Sequence, residues 1–406
     1  MFSLTFLRAN ARLIGFGFAL CFFSSAGQTY FISVFGGELR QAFSLSHGEF
    51  GTVYMAGTLG SAFTLIWLGR LVDHWSVART AWTTLVALAA VCIFTGLTWN
   101  AFALAVAIYG LRLMGQGMAI HIGLTAMARF FVAERGTAVG LATLGNAAGA
   151  AASPVFIVTL LAFMSWREAW WAASAVILCA IPGVLWLIKG EDLKARSDAL
   201  RQRGGQMLEA GYRLKDVLRD PGLWLRLPVL LAPSFITTGL VFHQVHIGAE
   251  KGWSPELVAG SFSAYAIATV AGLFVMGPLV DRFSARQSVP FFPIPLGLCA
   301  LSLALADAPW TVPVYMGLMG FGTGLSQVTQ GALWAELYGV THIGAIRSFA
   351  TAIMVFSSGL APAVMGLGFD NGVSVEGMAY ACALACLAAA VVAGFAGRPP
   401  PLPQPE

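Results

Sequence analysis

Apolar runs of about 20 residues, separated by short polar stretches, recur along nearly the whole chain. A helix of this length crosses the roughly 30 Å hydrocarbon core of a bilayer and satisfies its own backbone hydrogen bonds there. We number these runs spans one to twelve, and their predicted centres lie near residues 23, 61, 89, 113, 150, 178, 235, 268, 298, 323, 355 and 384. The pattern predicts an all-α membrane protein with twelve transmembrane helices.

The composition supports this interpretation, because 58% of the residues are hydrophobic, only 10% are charged and the mean hydropathy is +0.76. Soluble domains carry about 25% charged residues. The run over residues 13–35 is too long for the apolar part of a signal peptide, so we expect an uncleaved first span. All six cysteines fall inside apolar runs, where packing is the expected role. We therefore predict no metal site and no cofactor.

Basic residues predict the orientation of the spans, because lysine and arginine accumulate in cytoplasmic loops. With both chain ends inside, 19 of the 23 lysines and arginines lie on the inner side. Arg40, Arg167 and Lys251 lie on the outer side, and Arg112 lies within a span. We expect a multi-pass protein of the bacterial inner membrane with both termini cytoplasmic, and no nucleic-acid partner for its basic residues.

The longest polar stretch separates spans six and seven and divides the chain into two halves. We predict an N-terminal six-helix bundle over residues 1–188, a cytoplasmic linker over 189–222, a C-terminal six-helix bundle over 223–397 and a cytoplasmic tail over 398–406. Within the linker, apolar residues at helical spacing after Gly205 predict an amphipathic helix on the membrane surface.

A short charged motif occurs twice, as GRLVDHWSVART at 69–80 and as GPLVDRFSARQS at 277–288, 208 residues apart. Gly136 and Gly344 repeat at the same offset, as do Pro154 and Pro362, so the chain is a duplicated six-helix unit. Internal repeats of this kind build carriers whose substrate site lies near the bilayer midplane.

The duplicated motif, between spans two and three and again between eight and nine, resembles the signature of the major facilitator superfamily. The resemblance implies a twelve-helix secondary transporter in which these loops form a conformational latch. Its implied residues are Gly69, Asp73, Arg79, Gly277, Asp281, Arg282 and Arg286. Each aspartate ends a helix whose C-terminal dipole disfavours an anion, so we expect each to seek a cation or the N-terminus of another helix.

In that superfamily spans one, four, seven and ten line the cavity, and these spans hold much of the mid-membrane polarity here. The candidate substrate-binding residues are Gln28, Tyr30, Arg112, Gln116, His121, His243, Gln244, Gln327, Gln330 and Trp334. An arginine near the centre of a span is costly and usually marks a pathway, although bonds to backbone carbonyls would also explain it. If a proton is coupled, His243 is the best candidate, because histidine titrates near neutral pH.

The polar side chains of the cavity spans are compatible with several substrate classes. Glutamines and aromatic rings favour a neutral or weakly anionic polar molecule, such as the vitamin riboflavin, which a similar branch of the superfamily imports. A monocarboxylate or other organic anion is the alternative, as is copper, which Met114, Met118 and His121 would suit chemically. The alternatives from another class are a membrane-embedded enzyme and a channel. An enzyme would need clustered metal ligands or a nucleophile and base pair, neither of which is evident, and a channel would not need two repeats with latch motifs. We expect a monomer in the lipid bilayer that carries a small molecule, with or without protons.

Overall fold

The computed structural model describes residues 4–69, 71–131, 135–190, 212–339 and 342–397, and for residues 4–7, 73 and 135 it describes the backbone alone. Within this part of the chain all regular structure is helical, and helices occupy each of the twelve predicted spans. Ten of them are long and apolar enough to cross a membrane. The prediction of an all-α, twelve-helix membrane fold is therefore confirmed.

In the first half, spans one and four are composite and the other four spans are single helices. Span one comprises Leu4–Phe23, a 3₁₀ turn at Ser24–Gly27, Thr29–Ile32, a second 3₁₀ turn at Ser33–Phe35, and Gly36–Phe43. Span four comprises Ala101–Leu111, a π-helical stretch at Arg112–Ala119, and Ile120–Phe130. The remaining helices are His47–Leu68, the short Leu71–His74, Val77–Gly96, Arg135–Leu161 and Trp166–Trp186.

In the second half, span seven is broken at His243 into Pro221–Phe242 and Gln244–Glu250. Spans eight to twelve are Pro255–Phe283, Ile294–Leu305, Thr311–Tyr338, Ile343–Asp370 and Val375–Gly394. Two short helices, Leu214–Val217 and Ala285–Ser288, lie in the connections. Residues 191–211 of the predicted linker and the tail 398–406 lie outside the described residues, so the amphipathic helix stays a prediction.

Polar residues at the loop ends explain where several helices begin. Asn100 Oδ1 accepts a hydrogen bond from the Ala103 amide at 2.8 Å, and Ser374 Oγ accepts one from the Gly377 amide at 3.1 Å. Ser165 forms a capping box with Glu168 at the start of span six. Each cap satisfies backbone donors that the first helical turn leaves without a partner.

The contacts of the chain divide it into two compact units, Met1–Leu45 with Thr52–Gln206, and Ser46–Gly51 with Met207–Glu406. In the first unit span one packs against span five, and spans three and six pack against each other. In the second unit spans eight and ten form the main pair, and spans nine and twelve form another. Glycines allow the backbones to touch, since a Cβ at Gly320 would lie 2.1 Å from the Tyr265 carbonyl oxygen.

Candidate functional site

The second unit contains a cavity of about 500 Å³ between spans seven, ten and eleven. This volume is within the range of small-molecule sites in proteins. Its wall combines hydroxyl groups, amides, one arginine and one tryptophan. The residues of the wall are Pro233, Ser234, Thr237, Thr238, Thr323, Ser326, Gln327, Gln330, Gly331, Trp334, Arg347, Ala350, Thr351 and Met354.

Arg347 is the one charged side chain on the described wall of this cavity. It lies in the first turns of span eleven, is exposed, and donates a hydrogen bond from Nη2 to the carbonyl oxygen of Gly331 on span ten. A guanidinium has five donors, so this bond leaves others available for an anion. No aspartate or glutamate lines the described wall, and the cavity therefore favours anions over cations.

Two other groups on the wall shape its chemistry. Trp334 is 5% exposed and stacks on the ring of Tyr338, with 6.5 Å between the ring centroids. The Thr237 hydroxyl oxygen is buried and has no hydrogen-bond partner among the described residues. A buried hydroxyl without a partner costs free energy unless a ligand or water supplies one.

The structure brings three of the predicted substrate residues together on this wall. Gln327 is exposed to the cavity, while Gln330 is 8% exposed and donates from Nε2 to the Leu230 carbonyl oxygen at 3.2 Å. Trp334 follows one helical turn later. These residues recur every three or four positions along span ten, so they share one face of the helix.

His243 and Gln244 are not on the wall of this cavity. Both are buried at the break in span seven, and His243 Nε2 donates to the Pro362 carbonyl oxygen at 3.0 Å. A carbonyl can only accept, so Nε2 carries the proton of this bond.

In the first unit, Arg112 lies at the start of the π-helical stretch of span four and is 2% exposed. Its Nη1 donates to the Gly27 carbonyl oxygen at 3.2 Å, and its guanidinium carbon lies 5.3 Å from the centroid of the Tyr54 ring. The Tyr54 hydroxyl in turn lies 2.7 Å from Thr29 Oγ1. Arg112 Nε has no partner among the described residues, so the site keeps a buried donor unused.

The break in span one supplies this site with its carbonyl. Gln28 has an extended backbone, with φ −89° and ψ 153°, directly after the 3₁₀ turn that ends at Gly27. A Cβ at Gly27 would lie 2.1 Å from the Leu111 carbonyl oxygen, so only glycine lets spans one and four approach this closely. π-Helical stretches are rare in proteins, and those that occur are often found at functional sites.

The other predicted residues of the first unit are dispersed around Arg112. Gln28 Nε2 donates to Ser24 Oγ at 3.3 Å, and the Tyr30 hydroxyl lies 3.1 Å from both Ser25 Oγ and Asn146 Oδ1. These bonds connect span one internally and to span five. Gln116 is half-buried, whereas His121 is exposed and lies next to Gly69. The structure therefore does not bring all five together.

In the second copy of the duplicated motif, Glu336 occupies the position that we expected for Asp281. Glu336 Oε2 accepts a hydrogen bond from the Ala285 amide at 2.7 Å, at the N-terminus of the short helix Ala285–Ser288. Asp281 is exposed and has no hydrogen bond or ion pair within the described residues. The side chain of Asp73 in the first copy lies outside them, so the latch itself stays a prediction.

Sequence reasoning missed Arg347, which we counted among the cytoplasmic basic residues, and the hydroxyls of Thr237 and Thr351. One signal could have found Arg347: it precedes Thr351 by four positions and Met354 by seven, which places the three on one helical face. The hydroxyls are harder to find, because threonine is common in transmembrane helices and often bonds only to its own backbone.

Comparisons with known proteins complete this picture. The family model described as Major Facilitator Superfamily matches residues 18–245 and 234–406. A curated relative, the 3-(3-hydroxy-phenyl)propionate transporter of Escherichia coli (strain K12), is 26% identical over 360 residues, which cover 84% of this chain and 80% of the relative.

Two solved structures of a bacterial homologue of the human lysosomal transporter Spinster share the fold. The inward-facing occupied form has a TM-score of 0.65 at 16% identity and covers 96% of this chain and 94% of its own. The inward-facing unoccupied form has a TM-score of 0.66 at 14% identity and covers 95% and 94%. The family match extends over nearly the whole chain, so this protein belongs to the major facilitator superfamily, and it is a membrane transporter of small molecules rather than an enzyme.

Proposed function

We propose that the protein carries a small aromatic carboxylate across the membrane by alternating access. The observation that carries this proposal is the cavity of the second unit, in which one arginine and no carboxylate line a wall of hydroxyls and amides beside Trp334. A guanidinium binds a carboxylate through two parallel hydrogen bonds. An indole ring offers a flat apolar surface for an aromatic ring.

The name of the curated relative supports the same class of substrate. A hydroxyphenylpropionate combines a carboxylate, an aromatic ring and a phenolic hydroxyl, which match Arg347, Trp334 and the hydroxyls of the wall in kind. At 26% identity the relative favours the substrate class rather than one particular acid.

Riboflavin, the vitamin that the glutamines of the cavity spans favour, is a weaker second candidate. Riboflavin is neutral near pH 7, so it would leave the charge of Arg347 without a counterpart. Copper is weaker still, because Met354 is the one thioether or imidazole residue on the described wall, and Cu(I) prefers several soft ligands.

Uptake into proteoliposomes tests the proposal with a matched set of labelled compounds: phenylpropionate, its 3-hydroxy derivative, the corresponding neutral amide, riboflavin and copper. We expect saturable uptake and counterflow for the two acids and little for the amide. Transport of riboflavin or copper, with none of the acids, would refute it.

The variant Arg347→Gln connects the cavity with this activity. Removing a charge-assisted hydrogen bond costs about 1.5–3 kcal/mol, so we expect the apparent affinity for the acids to fall about 10- to 100-fold. Arg347→Lys should recover part of the loss, because it restores the charge without the planar fork. The control is Arg219→Gln, an exposed arginine of the same unit outside the wall.

We also propose that the protein resides in the bacterial inner membrane with both termini in the cytoplasm. The support is the distribution of basic residues, 19 on the side of the termini against three on the other.

A further inference from the structure

Three histidines converge in the second unit at the start of span two. His47 is the first residue of that helix, and the segment Ser46–Gly51 belongs to this unit. The centroid of the His47 ring lies 4.1 Å from that of His246 and 5.9 Å from that of His243. His246 lies in the short helix that follows the break in span seven. We call these three residues the histidine cluster.

The end of span eleven completes the surroundings of the cluster. The ring of Phe369 lies 4.7 Å from His246 and 5.1 Å from His243, both edge to face. The carboxylate of Asp370 accepts hydrogen bonds from the amides of His47 at 3.0 Å and Gly48 at 2.7 Å, and from Ser46 Oγ at 2.7 Å. A negative charge is thereby fixed on the helix turn that carries His47.

The backbones in this region are in direct contact. A Cβ at Gly51 would lie 2.3 Å from the Pro362 carbonyl oxygen, and one at Gly366 would lie 2.4 Å from the His47 carbonyl oxygen. His243 also donates to the Pro362 carbonyl. Closely packed contacts switch between discrete arrangements rather than deforming continuously.

The charged and titratable groups on the three packed elements are few. The start of span two contributes His47 and Glu49, whose carboxylate accepts from the Ser46 amide at 2.8 Å. Span seven contributes His243 and His246 and, at the end of the same short helix, Glu250, whereas its Arg226 donates to the carbonyls of Ala396 and Gly397. Span eleven contributes Asp370, whereas its Arg347 donates to the Gly331 carbonyl. Histidine is the side chain whose charge changes between about pH 5 and 8. A nearby carboxylate favours one imidazolium, but two rings in contact repel each other when both are charged.

We propose that His47 and His246 form a proton-binding pair that takes up one proton, and not two, near neutral pH, and that this proton is coupled to transport. The proton-binding part depends only on the geometry of the cluster. The coupling part depends in addition on the proposed function, so the two parts have separate tests.

Proton binding is measured on the purified full-length protein, labelled with ¹⁵N-histidine in lipid nanodiscs and titrated from about pH 8 to 5.5. The variants His47→Gln and His246→Gln assign the two rings, and His342→Gln is the control outside the cluster. We expect the pair to gain a single charge in wild type. In either single variant the remaining ring should charge completely, and its midpoint should differ from the wild-type value by about one pH unit or more.

Two results would overturn the proton-binding pair: both rings charge fully and independently in wild type, or neither ring gains a charge. Unchanged midpoints in both variants would show that the rings do not interact, and they would equally refute the pair. These results do not depend on which substrate the protein carries.

Coupling is measured as accumulation of labelled 3-hydroxyphenylpropionate in proteoliposomes with an imposed proton gradient. We expect His246→Gln to lose gradient-driven accumulation, down to the level without a gradient, and to keep counterflow exchange. Wild-type accumulation in both His47→Gln and His246→Gln would refute the coupling. If wild type carries no aromatic acid at all, the proposed function fails, and the titration still decides the proton-binding pair.

Discussion

Arg112 combines near-complete burial with incomplete hydrogen bonding. It is 2% exposed, donates to one backbone carbonyl, and keeps Nε without a partner among the described residues. Burial disfavours a charge by several kcal/mol unless it is paired. A residue that only held spans one and four together would be expected to use its donors, so this arrangement favours a role in binding or transport.

We therefore expect Arg112→Ala to abolish transport while the protein keeps its abundance in the membrane and its thermal stability. The variant loses one hydrogen bond, worth about 0.5–1.5 kcal/mol, but it also removes the unfavourable burial of a charge. Uptake and the melting temperature in detergent should be measured on the same preparation. A lower melting temperature with normal uptake would show that Arg112 is a structural bond between the helices.

Lys251, in contrast to Arg112, is a buried cation whose charge is paired with two carboxylates. Its amino group contacts Asp307, lies 2.6 Å from Glu376, and its side chain is 2% exposed. Burial lowers the pKa of Lys251, but the hydrogen bonds to Asp307 and Glu376 outweigh it, and the net pKa is raised. A raised pKa means that the ion pairs stabilise the folded state at every pH below the ordinary lysine value of about 10.4.

We expect Lys251→Met to lower the free energy of unfolding by about 1–2 kcal/mol, since both carboxylates reach solvent and are partly hydrated without the lysine. The difference from wild type should stay constant from about pH 6 to 9 and shrink above about pH 10.4, as the wild-type lysine loses its proton. Thermal unfolding of wild type and variant across this pH range measures the difference, and Lys215→Met on the exposed surface is the control. A difference that shrinks already near pH 7 would contradict the assignment.

Single residues of the cavity could be predicted only where a helix face repeats polar residues. Gln327, Gln330 and Trp334 stand out because their side chains are large and polar or aromatic among the small and apolar residues of span ten, and because their spacing is helical. Arg347 lies near the predicted end of a span, where an arginine is ordinary in a cytoplasmic loop. Its place on the wall depends on how span eleven packs against span ten. That packing cannot be predicted from the sequence of either helix alone.

At the scale of elements, hydropathy predicts where helices lie but not where they are interrupted. The mean hydropathy over about 20 residues depends only on which residues are present. It therefore gives no sign that the backbone of Gln28 is extended or that part of span four is π-helical. These interruptions arise from tertiary contacts, since Gly27 and Gly115 touch through their backbones. Span seven, the counterpart of span one in the second half, is also interrupted, at His243.

Gly27→Ala tests whether this crossing is essential. The added Cβ would lie 2.1 Å from a carbonyl oxygen and 2.8 Å from backbone atoms of span four, and backbone cannot move aside cheaply. We expect a loss of about 1–3 kcal/mol or more in stability together with loss of transport. Gly140→Ala in span five, where a Cβ meets nothing within 4 Å, should be neutral or slightly stabilising. Equal melting temperatures for the two variants would contradict the crossing.

At the scale of the whole molecule, repetition made the fold predictable. The motif at 69–80 returns at 277–288, and a membrane protein built from two copies of one unit has few alternative folds. The repeat does not predict partners, however. Glu336 accepts a hydrogen bond from the first amide of the short helix Ala285–Ser288, within the second motif, while the second copy's Asp281 is exposed without a described partner. The side-chain contacts of the second motif therefore do not follow from the repeat.

Topology is the prediction that concerns the chain as a whole. An even number of crossings puts both termini on the same side of the membrane, and the excess of basic residues predicts that this side is the cytoplasm. A fluorescent protein fused to either terminus should therefore fold and fluoresce in bacterial cells. Alkaline phosphatase, which is active only outside the cytoplasm, should be active after Ala308 between spans nine and ten and inactive after Gln287 between spans eight and nine. Phosphatase activity at Gln287, or termini on opposite sides, would refute the twelve-span orientation, because one missing crossing reverses every later loop.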